Sequence, residues 1–285
     1  MKKVLIIGAS GFIGSALKNG LNNFEINVLR GRSVYEMELR ELSRQVDGYD
    51  IIINLSGKSI VGLWTKKNRR EIYDSRIKTT EKISTAILMT QNPPKHFLNA
   101  SAIGIYKCEF ESDEMSDQMD EGFLGVVVKD WEKASESLTG STTKRTLIRI
   151  GVVIGKEGGA YRNLRKLTSL NLGSVFNGGN QSLSFIDILD LVRAVEFVIT
   201  NELTGVVNLV SPEYSSYREL ARLMKKSTGA WITWNIPGIF IRLILGESST
   251  LFLEGHKIIP SVLLKNSFNF ESPNLETCIA KLEGF

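Results

Sequence analysis

The seven residues Gly8-Ala9-Ser10-Gly11-Phe12-Ile13-Gly14 carry the strongest chemical signal in the chain. Glycines at this spacing let a backbone turn sharply and approach a pyrophosphate, while the free N–H groups and dipole of a helix N-terminus favour its negative charge. Such a turn needs a strand before it and a helix after it. Val4-Leu5-Ile6-Ile7 reads as a strand buried on both faces, and Ala16, Leu17 and Leu21 follow with helical spacing. A plain strand-to-helix turn would also use these glycines, but the further β/α repeats behind it point to a nucleotide site. Gly8, Ser10, Gly11, Phe12, Ile13 and Gly14 are its expected lining.

The second apolar run ends Val28-Leu29-Arg30-Gly31-Arg32-Ser33, with no carboxylate. Selection of NAD places an acidic residue about 20 residues beyond the glycines, on the ribose 2′-hydroxyl. Arg30, Arg32 and Ser33 instead suit a 2′-phosphate, because a guanidinium offers paired donors that a phosphate accepts. The alternative is a pair of arginines that solvates a strand end. The expected cofactor is NADP(H). Leu55, Ser56 and Gly57 close the third run, and Ala100 and Ser101 lie at the end of the fourth. Those are the carboxyl edges where ligands lie in such sheets, so these residues are expected beside the cofactor, or else form ordinary strand-ending turns.

The elements that must position these groups are legible as short apolar runs: Ile26–Leu29, Ile51–Asn54, Phe97–Ser101 and Leu147–Val153. Segments with helical spacing, such as Tyr73, Ile77, Thr80, Ile83 and Ile87, separate them. That alternation predicts an α/β chain with a Rossmann-type, doubly wound parallel sheet. A polar, Gly-rich stretch from Gly155 to Ser182 interrupts the rhythm, and helical pattern dominates beyond Ser211-Pro212. The expected division is a core of residues 1–155 and 182–210, and a smaller, mostly helical substrate lobe of residues 156–181 and 211–285. Asp187 and Asp190, ahead of Leu191, Val195, Val198 and Ile199, read as helix-capping carboxylates. The run Lys66-Lys67-Asn68-Arg69-Arg70, followed by Glu71 and Asp74, reads as a solvated helix start.

Composition narrows the partners. Of 285 residues 42% are hydrophobic and 23% charged, and Lys+Arg 35 against Asp+Glu 31 leaves +4. So small an excess is no nucleic-acid signature. Cys108 and Cys278 form no CxxC or Cys/His cluster, so neither a disulfide framework nor a zinc site is expected, and a reducing cytoplasm is the default compartment. The run of four after Met1-Lys2-Lys3 is shorter than the roughly 7–15 residues of a secretory signal. Ile236–Leu245, broken by Pro237, Gly238 and Arg242, falls short of the ~18 a membrane span needs. A protein with no membrane or nucleic-acid partner and a small-molecule substrate is expected; a homodimer is left open.

The spacing GxxGxxG resembles that of the extended short-chain dehydrogenases and sugar-nucleotide epimerases. Asn54-Leu55-Ser56-Gly57, Trp64, Ser75-Arg76-Ile77-Lys78-Thr79-Thr80, Ser101-Ala102-Ile103-Gly104-Ile105-Tyr106, Arg149–Gly155 and Ser184–Leu191 narrow this. Together they are similar to an atypical subgroup, the epimerase family proteins, which end in a domain of unknown function. Leu253-Glu254-Gly255-His256-Lys257-Ile258-Ile259-Pro260 resembles a segment of that domain. In the extended dehydrogenases, proton transfer falls to a Ser or Thr four residues before the Tyr of the fourth-strand motif, and to a Tyr-x-x-x-Lys on the next helix. Counting from Tyr106 reaches Ala102, and counting back from Lys129 reaches Gly125. The resemblance therefore leaves Lys129 to hold the nicotinamide ribose, with Ser101 and Tyr106 the nearest replacement hydroxyls. A strand-end hydrogen bond and an aromatic core residue are the competing roles for these two.

Trp64, Trp131, Arg76 and the loop containing Asn180 and Gln181 are expected at the substrate, where aromatic faces, a cation and amide donors would hold a polar or nucleotide-linked ligand. The tryptophans fit a core equally well, and Arg76 a surface. His96 and His256 have no catalytic or metal-ligating neighbours in sequence and are given no chemistry. The leading expectation is an NADP-dependent oxidoreductase or epimerase-like enzyme; the competing one is an NADP(H)-sensing binding protein; a vestigial scaffold is disfavoured by the intact glycines.

Overall fold

A computed structural model describes residues 1–108 and 110–284; Glu109 and Phe285, the last residue of the expected lobe, lie outside the described residues. In the first half one or two helices separate each strand from the next: β1 (Lys3–Ile7), α1 (Phe12–Gly20), β2 (Glu25–Leu29), α2 (Gly31–Glu36), α3 (Leu39–Val46), β3 (Ile51–Asn54), α4 (Lys66–Asp74), α5 (Ile77–Leu88) and β4 (His96–Ala102). After β5 (Glu111–Ser112) come α6 (Phe123–Lys133), β6 (Lys144–Ile150), β7 (Val152–Ile154), α7 (Gly159–Ser169), β8 (Ser174–Phe176), β9 (Ser182–Leu183), β10 (Phe185–Asp187), α8 (Ile188–Thr200) and β11 (Gly205–Leu209). The remainder is β12 (Ser215–Ser216), α9 (Tyr217–Thr228), β13 (Trp234–Ile236), α10 (Gly238–Leu245), α11 (Thr250–Leu253), β14 (Lys257–Ile258), α12 (Ser261–Lys265) and α13 (Leu275–Glu283).

Six strands form one parallel sheet in the order β11-β6-β4-β3-β1-β2. The period of two divides each central strand between two cores. Val4 and Ile6 pack with Leu17, Leu21, Leu191 and Val195 on one face, while Leu5 and Ile7 pack with Val34, Leu42, Ile83 and Phe97 on the other. Because the chain runs from β1 outward to β2 and then back to β3, the carboxyl ends of β1 and β3 border the switch point where open parallel sheets bind ligands. The predicted run Leu147–Val153 divides at Gly151: β6 stays in the sheet and β7 leaves it to pair with β10.

The polar, Gly-rich stretch that interrupts the rhythm contains α7, which packs Tyr161 and Leu164 against Leu220, Leu223 and Met224 of α9 and Ile279 of α13. Two short strand pairs, β8 with β13 and β9 with β12, tie this stretch to the C-terminal segments. Asp187 caps α8 through the Leu189 N–H at 2.9 Å, as expected. Asp190 does more than meet the helix dipole: fully buried, it accepts from the Ser272 N–H at 2.8 Å and pairs with Arg193 at 2.6 Å, anchoring the tail to α8.

His96 opens β4 and is buried between β3 and β6. Its Nε2 lies 2.7 Å from Thr146 Oγ1, whose own proton goes to the Leu203 carbonyl at 2.6 Å, so the imidazole is the donor. Burial, reinforced by the Lys144 charge, pushes its pKa down to about 4. The unfolded chain therefore takes up this proton first, so stability falls as pH drops from about 6.5 towards 4, by on the order of 3 kcal/mol. Urea unfolding across that range should show a flatter pH profile for His96→Asn than for the parent chain; identical slopes would rule out His96 as the source.

Candidate functional site

The residues after β1 and β3 meet over one cavity of about 1030 Å³. Gly8, Ser10, Gly11, Arg32, Leu55, Ser56 and Gly57 line it, together with Lys58, Lys66, Lys67 and Arg70. Its floor is a glycine turn under tight constraint. Gly8 has φ +91°, and a Cβ there would stand 3.0 Å from the Leu55 carbonyl carbon. A Cβ on Gly14 would stand 2.6 Å from both Ala9 Cα and Gly8 O, so only glycine lets α1 start this close to the strand end. Gly11 caps α1 with no side chain, and the helix's first bond runs from Ser15 N to Gly11 O. The N–H groups of the first turn precede that bond and face whatever lies at the helix end.

Across from the turn, Asn54 is fully buried. It donates to Asn99 Oδ1 at 2.7 Å and to Thr80 at 2.9 Å, and accepts from the Ser56 N–H at 3.1 Å. Ser56 is thus held rigidly, yet its own buried hydroxyl has no hydrogen-bond partner among the described residues. That hydroxyl is packed against the start of α2, where a Cβ on Gly31 would stand 2.8 Å from it, so Gly31 lets Ser56 sit this close.

Cations dominate the outer wall. Arg32 pairs with Glu36 at 2.9 Å, Arg70 with Asp74 at 3.5 Å, and Lys58 with Glu71. Five cations face three carboxylates, since Lys66 and Lys67 also line the cavity. The basic run read as a solvated helix start therefore supplies part of the wall. Arg30 and Ser33 lie outside the lining, with Arg30 exposed at the start of α2. Phe12 packs beside Gly155 and Gly158, Ile13 joins the sheet core, and Ala100 packs with Val127 and Trp131; these three support the cavity without lining it.

A second cavity, about 370 Å³, opens between β4, α6 and the C-terminal segments. Trp64, Arg76 and Trp131 line it, as expected for the substrate side. Asn180 and Gln181 do not: Asn180 is exposed, and Gln181 Nε2 donates to the carbonyls of Phe176 and Phe252 at 2.9 and 3.1 Å, tying those segments together. Arg76 lies over the Trp131 ring at 5.1 Å and, among the described residues, donates only to the backbone carbonyls of Lys58 and Ile72. Burial without a carboxylate partner pushes its pKa down to about 10, leaving it a cation at neutral pH.

The structure sets the expected proton-transfer residues elsewhere. Ser101 Oγ donates to Glu132, Glu132 takes a two-pronged bond from Arg149 at 2.7 and 2.8 Å, and Arg149 Nη1 donates to the Tyr106 hydroxyl at 2.7 Å. Tyr106, fully buried, passes its own proton to Asn208 Oδ1 at 3.0 Å. Burial raises the Tyr106 pKa, and although burial opposes the charge on Arg149, Glu132 holds that guanidinium firmly protonated. Neither Ser101 nor Tyr106 lines the cavity.

Lys129 is exposed and lines neither cavity. The α6 residues that line the second cavity are Phe123, Leu124, Val127, Val128 and Trp131, which puts Gly125 and Lys129 off that face. Gly125 is buried instead under the Asp120 backbone, whose carbonyl oxygen would stand 2.1 Å from a Cβ. Ala102, Leu124 and Val128 thus present three apolar side chains to the second cavity.

Titratable groups enter the second cavity from the C-terminal segment. His256 Nε2 lies 3.6 Å from Cys108 Sγ, and Glu254 Oε2 lies 3.8 Å from the same sulfur. Ser184 fixes this segment by donating to the His256 carbonyl at 2.8 Å and accepting from the Ile258 N–H at 2.9 Å. Burial lowers the His256 pKa, so the imidazole is neutral at pH 7. Sequence reading gave His256 no chemistry, because its partner lies 148 positions away.

Two family models match the chain: the NAD dependent epimerase/dehydratase family over residues 4–121 and a domain of unknown function, DUF1731, over residues 236–282. An epimerase family protein of Staphylococcus saprophyticus is 30% identical, with 99% of each chain covered. Epimerase family protein SDR39U1 of Mus musculus is 29% identical over 97% of this chain and 98% of its own. The crystal structure of human epimerase family protein SDR39U1 with NADPH superposes with a TM-score of 0.89 at 26% identity, covering 99% of both chains. The glycine turn, the sheet order and the C-terminal segment that carries His256 are thus parts of one architecture, and the chain belongs to the epimerase family proteins.

Proposed function

We propose that this protein binds NADP(H) over the carboxyl ends of β1 and β3 and carries out oxidoreductase or epimerase-like chemistry in the adjoining smaller cavity. The observation that carries the reading is the glycine turn on the cavity floor, where a Cβ on Gly8 would stand 3.0 Å from the Leu55 carbonyl carbon and one on Gly14 2.6 Å from Gly8 O, so that bare backbone faces the cavity. Gly8, Ser10 and Gly11 would take the pyrophosphate with the first-turn N–H groups of α1, and Leu55, Ser56 and Gly57 would flank it. Arg32, with the lysines of the outer wall, would meet the 2′-phosphate. When bound, the cofactor supplies or accepts a hydride. The solved human relative, named with NADPH, supports the choice.

A carbonyl oxygen reduced in this cavity needs a proton. Ala102, Leu124 and Val128 cannot give one, whereas the Cys108 thiol and the His256 imidazole at 3.6 Å can hold and pass one. Arg76 would orient an anionic or carbonyl group against the Trp131 face. His256→Ala is therefore expected to slow single-turnover oxidation of bound NADPH by about 10²–10⁴, with cofactor affinity unchanged. Ser101→Ala and Lys129→Ala should leave the rate within a few-fold. An unaffected His256→Ala rate would remove that residue from the reaction.

The apolar side chains of Ala102, Leu124 and Val128 in the second cavity favour one second reading, a sensor that binds NADP(H) without turnover. No oxidation of bound NADPH with any carbonyl would select it.

Fluorescence titration tests the cofactor itself. NADPH should bind about 10- to 100-fold more tightly than NADH, the value of one charge-assisted contact to the phosphate. Arg32→Ala should narrow that gap, while Arg30→Ala, outside the lining, should not. Equal affinity for the two cofactors in the parent protein would overturn the NADP(H) assignment.

A further inference from the structure

A third cavity, about 900 Å³, shares Ile60, Val152, Tyr217 and Leu251 with the cavity that holds Cys108 and His256. Leu164, Leu167, Val175, Phe176, Met224 and Phe252 form much of its wall. Among the described residues, no charged side chain lines it. Of the polar side chains on its wall, Tyr161 donates to Glu283 at 2.7 Å and Thr168 to the Leu164 carbonyl at 2.9 Å. Phe176 and Phe252 meet edge to face at 5.5 Å, pinned by Gln181, so the chamber is built rather than collapsed. Val61, 71% exposed, and Leu167, 44% exposed, are large apolar side chains left open to solvent along it.

This chemistry excludes the polar, nucleotide-linked ligand expected from sequence as the occupant of the chamber. A diphosphate brought here would lose its hydration and find no cation. Hydrocarbon would gain from every carbon buried. At the junction with the smaller cavity stands Tyr217, which lines both and can meet a ligand oxygen there.

We propose that the chamber receives the hydrocarbon tail of the substrate, making the substrate an amphiphile: a small carbonyl or hydroxyl head beside Cys108 and His256, and a linear tail on the order of ten carbons among Leu164, Phe176 and Phe252. As a statement about substrate it rests on the cofactor reading above, but the chamber can be tested apart from it.

The probe is 11-(dansylamino)undecanoic acid, displaced by 2-alkanones of five to eleven carbons, from both cofactor-free and NADPH-supplemented protein. Affinity should rise about three- to fourfold per methylene until the chamber is full. Ala221→Trp, which fills the chamber from α9, and Leu167→Glu, which puts a carboxylate on its exposed wall, should each weaken 2-undecanone by at least about tenfold and leave NADPH affinity unchanged. A flat chain-length series, displacement by UDP-glucose but not by 2-undecanone, or two variants that bind 2-undecanone like the parent would each overturn the proposal. Failure of the cofactor reading looks different: NADPH does not bind, while the chain-length series persists.

Discussion

Gly11→Asp is expected to abolish NADPH binding while leaving the chain folded. Gly11 has φ −77° and ψ 170°, extended backbone open to any residue, and a Cβ there would meet only Gly8 O, at 3.6 Å. It is also the N-cap of α1 with no side-chain cap, and aspartate is among the preferred N-cap residues. Helix stability should therefore hold or rise by about 1 kcal/mol. Binding faces the opposite effect. The new carboxylate would occupy the N–H groups intended for the pyrophosphate and repel its charge. With two or more charge-assisted bonds lost, each worth about 1.5–3 kcal/mol, affinity should fall at least ~100-fold. Calorimetric titration beside a thermal melt separates the two effects. NADPH affinity within a few-fold of the parent, in a variant that melts normally, would end the assignment of this turn. Gly14→Ala provides the contrast: its Cβ would stand 2.6 Å from backbone atoms of Gly8 and Ala9, so fold and binding should fail together.

Glu132→Leu should produce a large loss of stability. The side chains of Arg149 and Glu132 are 5% and 12% exposed, and Glu132 is the only carboxylate bonded to that guanidinium among the described residues. Removing the carboxylate strands a cation in the interior beneath Tyr106, which costs about 3–5 kcal/mol. A fall in Tm on the order of 10 °C follows for a chain of this size. Tyr106→Phe should cost less, about 1–3 kcal/mol, because it leaves single hydrogen-bonding groups unsatisfied rather than a charge. This ordering separates a structural network from a catalytic one. If Ser101 and Tyr106 served the reaction, Tyr106→Phe would depress turnover by orders of magnitude at little cost in Tm. The buried network predicts the reverse ranking. Glu132→Leu melting within 2 °C of the parent would refute the network's structural role.

Much of the fold was legible because its signals are local. Val4–Ile7 alternates between two cores, so it must be apolar throughout, and a glycine turn directly behind it can only be a strand-to-helix corner. The same locality located Gly8, Ser10, Gly11, Leu55, Ser56 and Gly57, since residues at the carboxyl ends of adjacent strands share one cavity. Arg30 and Arg32 show the limit. Two residues apart at the start of α2, they were read as a pair, yet only Arg32 lines the cavity.

Helix phase is what local spacing leaves undecided in the catalytic reading. Lys129 and Gly125 satisfy the i, i+4 spacing as well as Val128 and Leu124 do, and the choice between registers depends on which face of α6 meets the sheet. Asp120 decides it by closing its backbone over Gly125 and turning Leu124, Val127 and Trp131 into the second cavity. The hydroxyls of Ser101 and Tyr106 were likewise visible in sequence, but their partners Glu132, Arg149 and Asn208 come from α6, β6 and β11. Pattern along the chain thus determined the parallel sheet, its glycine corner and the cavity over β1 and β3, because strand burial, helix spacing and turn geometry are set within a few residues. Tertiary packing alone decided which hydroxyls are buried, that Cys108 meets His256, and that an uncharged chamber opens beside them. Those outcomes depend on contacts between residues up to 148 positions apart, which no local periodicity encodes.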